Sequence, residues 1–396
     1  MKLQEMKILC LSFWAPPIVR PQSILIGKMI PEWMRQGIRP VILTYDICGD
    51  WDINLPVYKI PQFSPNRFLN KIKLTTISEY FYYQKLFKIT KDIIEKHQIN
   101  LVFSFANPQA SNILGAMINK KLGIKFISHF SDPWFDNPYK TFSLLGAKKV
   151  LFLENFIIKN SNRVIFITEE TKQLVMKKYN EKDRQKARII PHCFDPKDYL
   201  EVQKSENKYI FSYIGAFFGD RNPKILFEAF RNLLKNKEIS GKFRLKLVGV
   251  SLDYARYKTD LNEMIKAYGL EELVELVPAI DYKKSLEYMK TSDCLIVIDA
   301  NFPNSPFLPS KVVDYAGSGT TIVGITPQNS STAEFLSKLG YRSFNYSQVN
   351  ELADYFYKLI RGEIKEEANL CYLNQFNVIT TTAKLIKQFE EALEDI

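Results

Sequence analysis

Cysteine is scarce in this chain: five residues in 396, Cys10, Cys48, Cys193, Cys294 and Cys371, with no paired spacing. That scatter excludes a disulfide framework and a cysteine-rich zinc cluster. Histidine is scarcer still, with three, and no carboxylates gather at metal-ligand spacing, so no metal ion is expected. No apolar run reaches the roughly 20 residues that a membrane-spanning helix needs. The first residues, Met1-Lys2-Leu3-Gln4-Glu5-Met6, lead straight into a strand-like run rather than a signal peptide, so a cytoplasmic location is expected. Internal repeats and low-complexity tracts are also missing. What remains is a chain of ordinary globular composition, 46% hydrophobic and long enough for two domains with separate cores.

Charge is present but unevenly spread. Residues 1–200 carry 30 Lys and Arg against 17 Asp and Glu, a net of +13, whereas residues 201–396 carry 24 against 26, a net of −2. A basic first half can meet nucleic acid, an anionic membrane surface or an anionic acceptor. Its densest part runs from Arg67 through Lys71 and Lys73 to Tyr80-Phe81-Tyr82-Tyr83 and Lys85-Leu86-Phe87-Lys88, cations alternating with large aromatics. Such a helix can lie in a bilayer interface or pack its aromatic side inward like any amphipathic helix. No recognition motif accompanies the basic residues, so nucleic acid is not an expected partner.

The first half alternates strand and helix signals: Lys7 to Ser12, a Pro16-Pro17 turn, a helix over Ile24 to Gln36, then strands at Val41 to Thr44, Leu101 to Ser104, Lys125 to Ser128 and Arg163 to Ile167. The series restarts at Tyr209 to Ile214 and continues with a helix over Asn222 to Lys235 and a strand at Leu245 to Gly249. A helix over Asp260 to Tyr268, a strand at Val274 to Val277 and a helix over Lys283 to Lys290 follow. This alternation predicts two doubly wound parallel sheets. The expected domains are residues 1–196 and 197–378, with a last helix in 379–396 packing back on the first domain.

One segment concentrates chemistry. Between the strands Cys294 to Asp299 and Thr320 to Ile325, the run Ser305-Pro306-Phe307-Leu308-Pro309-Ser310-Lys311-Val312-Val313-Asp314-Tyr315-Ala316-Gly317-Ser318-Gly319 reads as a loop and a helix start. Pro309 suits the first turn, and the free N–H groups of Ser310 and Lys311 then favour an anion. Lys311 can meet phosphate, and Asp314, three residues on and roughly on the same face, can accept two hydrogen bonds from a ribose diol. Gly317 and Gly319 are expected to end the helix. The same pattern also fits an ordinary helix-strand connection. Its place at the carboxyl end of a parallel strand favours the binding reading.

Several motifs in order resemble the retaining glycosyltransferases of the GT-B fold, in particular the large family 4 group. They are Trp14-Ala15-Pro16-Pro17 with the following βαβ unit, Ser128-His129-Phe130-Ser131-Asp132-Pro133-Trp134, Ile189-Ile190-Pro191-His192-Cys193-Phe194-Asp195, Tyr213-Ile214-Gly215-Ala216-Phe217-Phe218-Gly219, and the Pro-Ser-Lys helix. The resemblance implies an α/β protein of two Rossmann-like domains facing a cleft, a nucleotide-diphosphate sugar as donor, and no required cofactor or metal. It implies that Arg221 and Lys311 take the diphosphate with Ser310 and Gly215, and that Asp314 takes the ribose. Pro278 and Ile280 would pack the base, while His129 and Asp132 face the donor sugar and acceptor. Histidine can bond a sugar hydroxyl or assist proton movement near pH 7. Two departures stand out. The family's first glutamate falls at Pro306, and its Gly-rich turn after Pro17 is replaced by Ile18-Val19-Arg20-Pro21-Gln22-Ser23, leaving Arg20 and Gln22 as acceptor-side candidates.

Three readings follow. The first is a hexosyl- or other glycosyltransferase of surface polysaccharide or glycolipid assembly, with a glycan or lipid-linked acceptor at the inner membrane face. The second is a nucleotide-sugar epimerase, which calls for acid and base carboxylates that the sequence does not display. The third is a non-catalytic module that binds a nucleotide or a partner.

Overall fold

The computed structural model describes residues 6–16, 20–47, 53–65, 75–204, 206–217, 219–250 and 260–395. Arg67, Lys71 and Lys73 of the basic aromatic segment, and Ile18 and Val19, lie outside them. The described chain divides into two units, one of residues 1–192 with 378–396, the other of 193–377. The boundary falls before residue 196 because Phe194 belongs to the second unit. Its N–H donates to the Phe376 carbonyl at 3.0 Å, and it pairs with Asn377 in an isolated bridge.

The first unit holds β1 (Ile8–Leu11), α1 (Pro21–Arg35), β2 (Val41–Tyr45), β3 (Val57–Ile60), α2 (Thr75–His97), β4 (Leu101–Ser104) and α3 (Ala110–Leu122). It continues with β5 (Lys125–Phe130), α4 (Leu144–Lys159), β6 (Arg163–Phe166), α5 (Glu169–Met176) and β7 (Ala187–Ile189). All neighbours in the sheet are parallel, in the order β3-β2-β1-β4-β5-β6-β7. The central strands are buried along their whole length, as strands covered by helices on both faces must be. The first helix starts at Pro21 rather than Ile24, because proline fits a first turn whose N–H would have no partner.

The second unit holds β8 (Tyr209–Ile214), α6 (Lys224–Leu234), β9 (Phe243–Val248), α7 (Leu261–Ala267), β10 (Val274–Val277), α8 (Tyr282–Thr291) and β11 (Cys294–Ile298). After these come α9 (Ser310–Ser318), β12 (Thr321–Ile325), α10 (Ser331–Leu339), β13 (Ser343–Phe344) and α11 (Val349–Ile360). Its parallel sheet runs β10-β9-β8-β11-β12-β13. In both sheets the strand order reverses at the first strand of the unit, so ligand-binding loops are expected after β1 and β4 and after β8 and β11.

The last helix, α12 (Val378–Glu394), belongs to the first unit, where it packs on α1 and β5. Phe389 lies edge-on to Trp33 and Phe103, at 5.7 and 5.4 Å between ring centres. Beyond the helix, Asp395 forms a two-pronged pair with the Arg163 guanidinium, at 2.5 and 3.1 Å. Among the described residues no helix is long and apolar enough to cross a membrane.

Candidate functional site

In the second unit the loops at the switch point converge on the end of β8. Gly215 follows that strand with φ +100° and donates its N–H to Val248 at 2.8 Å. A Cβ there would meet nothing within 4 Å, so backbone conformation, not crowding, calls for glycine. Across from it α9 begins after Pro309, with Ser310 half-buried at its first position and no side chain capping the helix. The N-terminus of α9 therefore keeps its positive end available to an anion.

The half-buried Lys311 reaches back to β8. Its Nζ donates to the Ile214 carbonyl at 3.2 Å and lies 3.8 Å from the centre of the Tyr213 ring. Burial pushes its pKa well below the ordinary lysine value, nearby Arg221 adds to the fall, and Asp299 opposes it. Asp299 follows β11 directly, fully buried, and accepts from the Ala300 N–H at 2.8 Å and from the hydroxyls of Ser305 and Thr332 at 3.2 Å each. Burial raises the pKa of its carboxyl, while Arg221 and these hydrogen bonds counter the rise. Arg221 sits in the loop ahead of α6, not at the helix start expected from Asn222, because Pro223 delays the helix to Lys224. Its Nε is buried and has no hydrogen-bond partner among the described residues. Two cations thus face one carboxylate, an arrangement with unspent positive charge for an incoming diphosphate.

Asp314, expected on roughly the same helix face as Lys311, is turned to other neighbours. It is only 5% exposed, and its Oδ1 accepts from the hydroxyls of Tyr282 at 3.2 Å and Tyr199 at 3.5 Å. Tyr199 also donates to the Asp314 carbonyl at 2.9 Å. The two side chains serve different neighbourhoods, Lys311 the end of β8 and Asp314 the start of α8. Gly317 does not end the helix; Gly319 does, with φ +73°. A Cβ on Gly317 would lie 2.6 Å from the Phe194 ring and 2.8 Å from the Tyr199 hydroxyl, so this glycine makes room for the tyrosine that holds Asp314. In the loop after β10, Pro278 is exposed, and Ile280 packs partly buried on the core cluster that contains Leu308 and Val312. Pro306 is buried.

In the first unit, His129 lies near the carboxyl end of β5 and stacks on Phe105, 4.3 Å between ring centres and 12° from parallel. Its Nδ1 is buried without a partner among the described residues. Burial pushes its pKa down to about 3, with the Ala106 carbonyl acting the other way. Proton exchange near pH 7, expected from the sequence, is therefore corrected: the ring stays neutral and serves as a hydrogen-bonding group. His192 is also held at about 3 by burial, with His129 and the buried Lys28 adding to the effect. Asp132, in the loop after β5, accepts from the Asn107 amide at 3.0 Å, and Ser131 donates to the Ala106 carbonyl at 2.8 Å. These bonds join the loops after β4 and β5. Arg20 precedes α1 in an exposed position without capping it, its guanidinium 4.2 Å from the centre of the Trp14 ring, and Gln22 is half-buried in the first turn.

Residues 197–368 match the family described as glycosyl transferases group 1. The match spans most of the second unit. This chain is similar in structure to Anabaena HepE in complex with UDP-glucose, with a TM-score of 0.70 at 16% identity, covering 98% of this chain and 100% of that one. The lipopolysaccharide outer core galactosyltransferase WaaB in its apo form gives a TM-score of 0.66 at 14% identity over 98% and 99% of the chains. A putative UDP-N-acetylglucosamine 2-epimerase from Listeria monocytogenes gives 0.62 at 10% identity over 98% of each. No curated protein sequence matches the chain significantly. The two parallel-sheet units have the GT-B fold. Within the matched region, Arg221, Lys311 and Gly215 gather at the end of β8, whereas Asp314 sits apart with two tyrosines. Sequence reasoning missed Asp299, Tyr213, Tyr199 and Tyr282. Asp299 left a trace as the lone carboxylate ending an apolar strand, and Tyr213 as the first residue of a motif.

Proposed function

We propose that this chain is a glycosyltransferase that moves a sugar from a nucleoside-diphosphate sugar to a hydroxyl of a glycan or lipid-linked acceptor. The reaction retains anomeric configuration and belongs to surface polysaccharide or glycolipid assembly. The observation that carries the reading is the pairing of Arg221 and Lys311 against Asp299 at the uncapped start of α9. Charge placed where a leaving diphosphate develops its negative charge is the largest contribution a protein makes to this chemistry. With those cations in place the transfer needs no divalent ion, so activity is expected to survive a chelator. Asp314 holds the ribose together with Tyr199 and Tyr282, and Pro278 and Ile280 pack the base. His129 and Asp132 meet the donor sugar and acceptor, with Arg20 and Gln22 on the acceptor side. The protein works in the cytoplasm at the inner membrane face. The UDP-glucose bound in the HepE structure and the galactosyltransferase WaaB make UDP-hexoses the first donors to try.

The test is calorimetric binding of UDP, GDP and ADP, followed by hydrolysis and transfer with a panel of nucleotide sugars. Binding by none of the diphosphates sinks the reading, and Asp314→Ala with unaltered binding sinks the ribose role. A second reading has one observation in its favour: Pro306 is buried where the family carries its first acid. Tight nucleotide binding without turnover across the panel selects that reading, a binding module.

A further inference from the structure

Among the described residues thirteen large hydrophobic side chains stand exposed, and seven of them lie on α2 and α4. Leu144 and Leu145 are 75% and 79% exposed, Phe152 69% and Phe81 64%, with Tyr80, Ile77 and Leu151 beside them in sequence or at helical spacing. Lys148 lies four residues after Leu144, and Leu151 and Phe152 lie three and four residues after Lys148, all on the outer face of α4. The inner face is supplied by Glu154, Ile157 and Ile158, so the outer residues add nothing to the core. Ile77, Phe81, Lys85 and Lys88 repeat the pattern on α2. An ion pair between Lys149 and Glu79 brings the two helices together near their starts.

The charge around these side chains is of one sign. Lys85, Lys88, Lys140 and Lys148 are exposed. Over residues 75–88 the only acid is Glu79, paired with Lys149, and over 137–159 it is Glu154, buried and bonded to the Phe135 N–H and the Tyr179 hydroxyl. Helices of a parallel α/β sheet run against the strands, so α2 and α4 begin at the carboxyl edge, the edge that carries His129 and Asp132. Leucine and aromatic side chains ringed by lysine, without unpaired acids, match the boundary between headgroups and acyl chains of an anionic bilayer.

We infer that the starts of α2 and α4 form a docking face for an anionic lipid bilayer, with Leu144, Leu145, Phe152 and Phe81 entering the interface and the lysines meeting lipid phosphates. This deepens the lipid-linked acceptor reading, since it brings the carboxyl edge of the first sheet to the membrane where such an acceptor resides. Flotation of the full chain with vesicles of roughly 3:7 phosphatidylglycerol to phosphatidylcholine is expected to carry protein upward, and pure phosphatidylcholine or high salt is expected not to. Leu144→Ser, Leu145→Ser and Phe152→Ser combined, or Lys140→Glu with Lys148→Glu, are expected to lower the bound fraction by about tenfold or more. Nucleoside-diphosphate binding, measured on the same samples, is expected to stay unchanged, which separates this face from the donor site and reports that the variants are folded. Failure of the unaltered protein to float overturns the inference, as does flotation of the triple serine variant at the original level. It is equally overturned if sedimentation without vesicles finds an oligomer that the triple variant loses, since the face then joins two copies of the chain.

Discussion

The ammonium of Lys311 lies 3.8 Å from the centre of the Tyr213 ring. Tyr213 is fully buried in β8, so the ring gives the lysine a face of favourable quadrupole but little hydration. A lysine in that position is held short of ideal solvation, with Arg221 close by raising the cost. An anion arriving at the start of α9 relieves both.

Lys311→Met is therefore expected to weaken nucleoside-diphosphate binding by tenfold to a hundredfold, about 1.5–3 kcal/mol for charged hydrogen bonds. Removing a poorly solvated charge is at the same time expected to leave the melting temperature equal or higher. Calorimetric titration with UDP and a thermal melt check the two halves. A variant that melts early without losing affinity contradicts the assignment.

Asp299→Ala is expected to act in the opposite sense on stability. It removes the carboxylate that offsets Arg221 and Lys311 and leaves the Ser305 and Thr332 hydroxyls without their acceptor. Breaking a buried charge arrangement from one side costs about 3–5 kcal/mol. Saturating nucleoside diphosphate supplies the missing negative charge, so the ligand-induced rise in melting temperature is expected to be larger in the variant than in the unaltered protein. Differential scanning fluorimetry with and without UDP measures the difference.

Gly317→Ala tests the packing under the carboxylate of Asp314. Alanine is the better helix former by about 1 kcal/mol, yet its methyl would sit 2.6 Å from Phe194 and 2.8 Å from the Tyr199 hydroxyl. Overpacking of this kind costs about 1–3 kcal/mol, so net destabilisation is expected. Displacing Tyr199 also disturbs Asp314, and a weaker nucleotide affinity is expected alongside. Equilibrium urea unfolding and titration report the pair.

The two buried histidines set an acid limit. His129 and His192 have folded-state pKa values of about 3, below the unfolded value near 6.5, so the unfolded chain takes up protons first as pH falls. Stability from these groups is fully present above about pH 6.5 and declines towards pH 3, by about 1.4 kcal/mol per pH unit for each histidine. Urea unfolding midpoints between pH 7 and pH 5 are expected to fall accordingly. His192→Asn is expected to reduce the slope by about half. An unchanged slope refutes the account.

The central strands were legible because burial on both faces writes continuous apolar runs. Leu101–Ser104 and Tyr209–Ile214 fall where the sequence put them, and so does the partly exposed edge strand Val274–Val277, which Val274, Leu276 and Val277 mark. The edge strands β3, β7 and β13 were not legible, being two to four residues long and partly exposed, with no such run to mark them. In the candidate site the start of α9 could be read from Pro309, Ser310 and Lys311, since capping and phosphate chemistry are local. Asp299 and the three tyrosines could not, because their roles arise from contacts distant in sequence.

Two parallel α/β sheets and a helix start suited to an anion are written in the order of the residues, because periodicity, proline and charge act within a few positions. The different surroundings of Lys311 and Asp314 came from packing between distant segments. Helical spacing suggested one shared clamp, but β8 draws Lys311 towards Tyr213 and Ile214, while α8 and the segment after Phe194 enclose Asp314 with Tyr282 and Tyr199. Side-chain direction on a helix is set by what packs beside it, and those neighbours come from strands and loops that sequence separation hides.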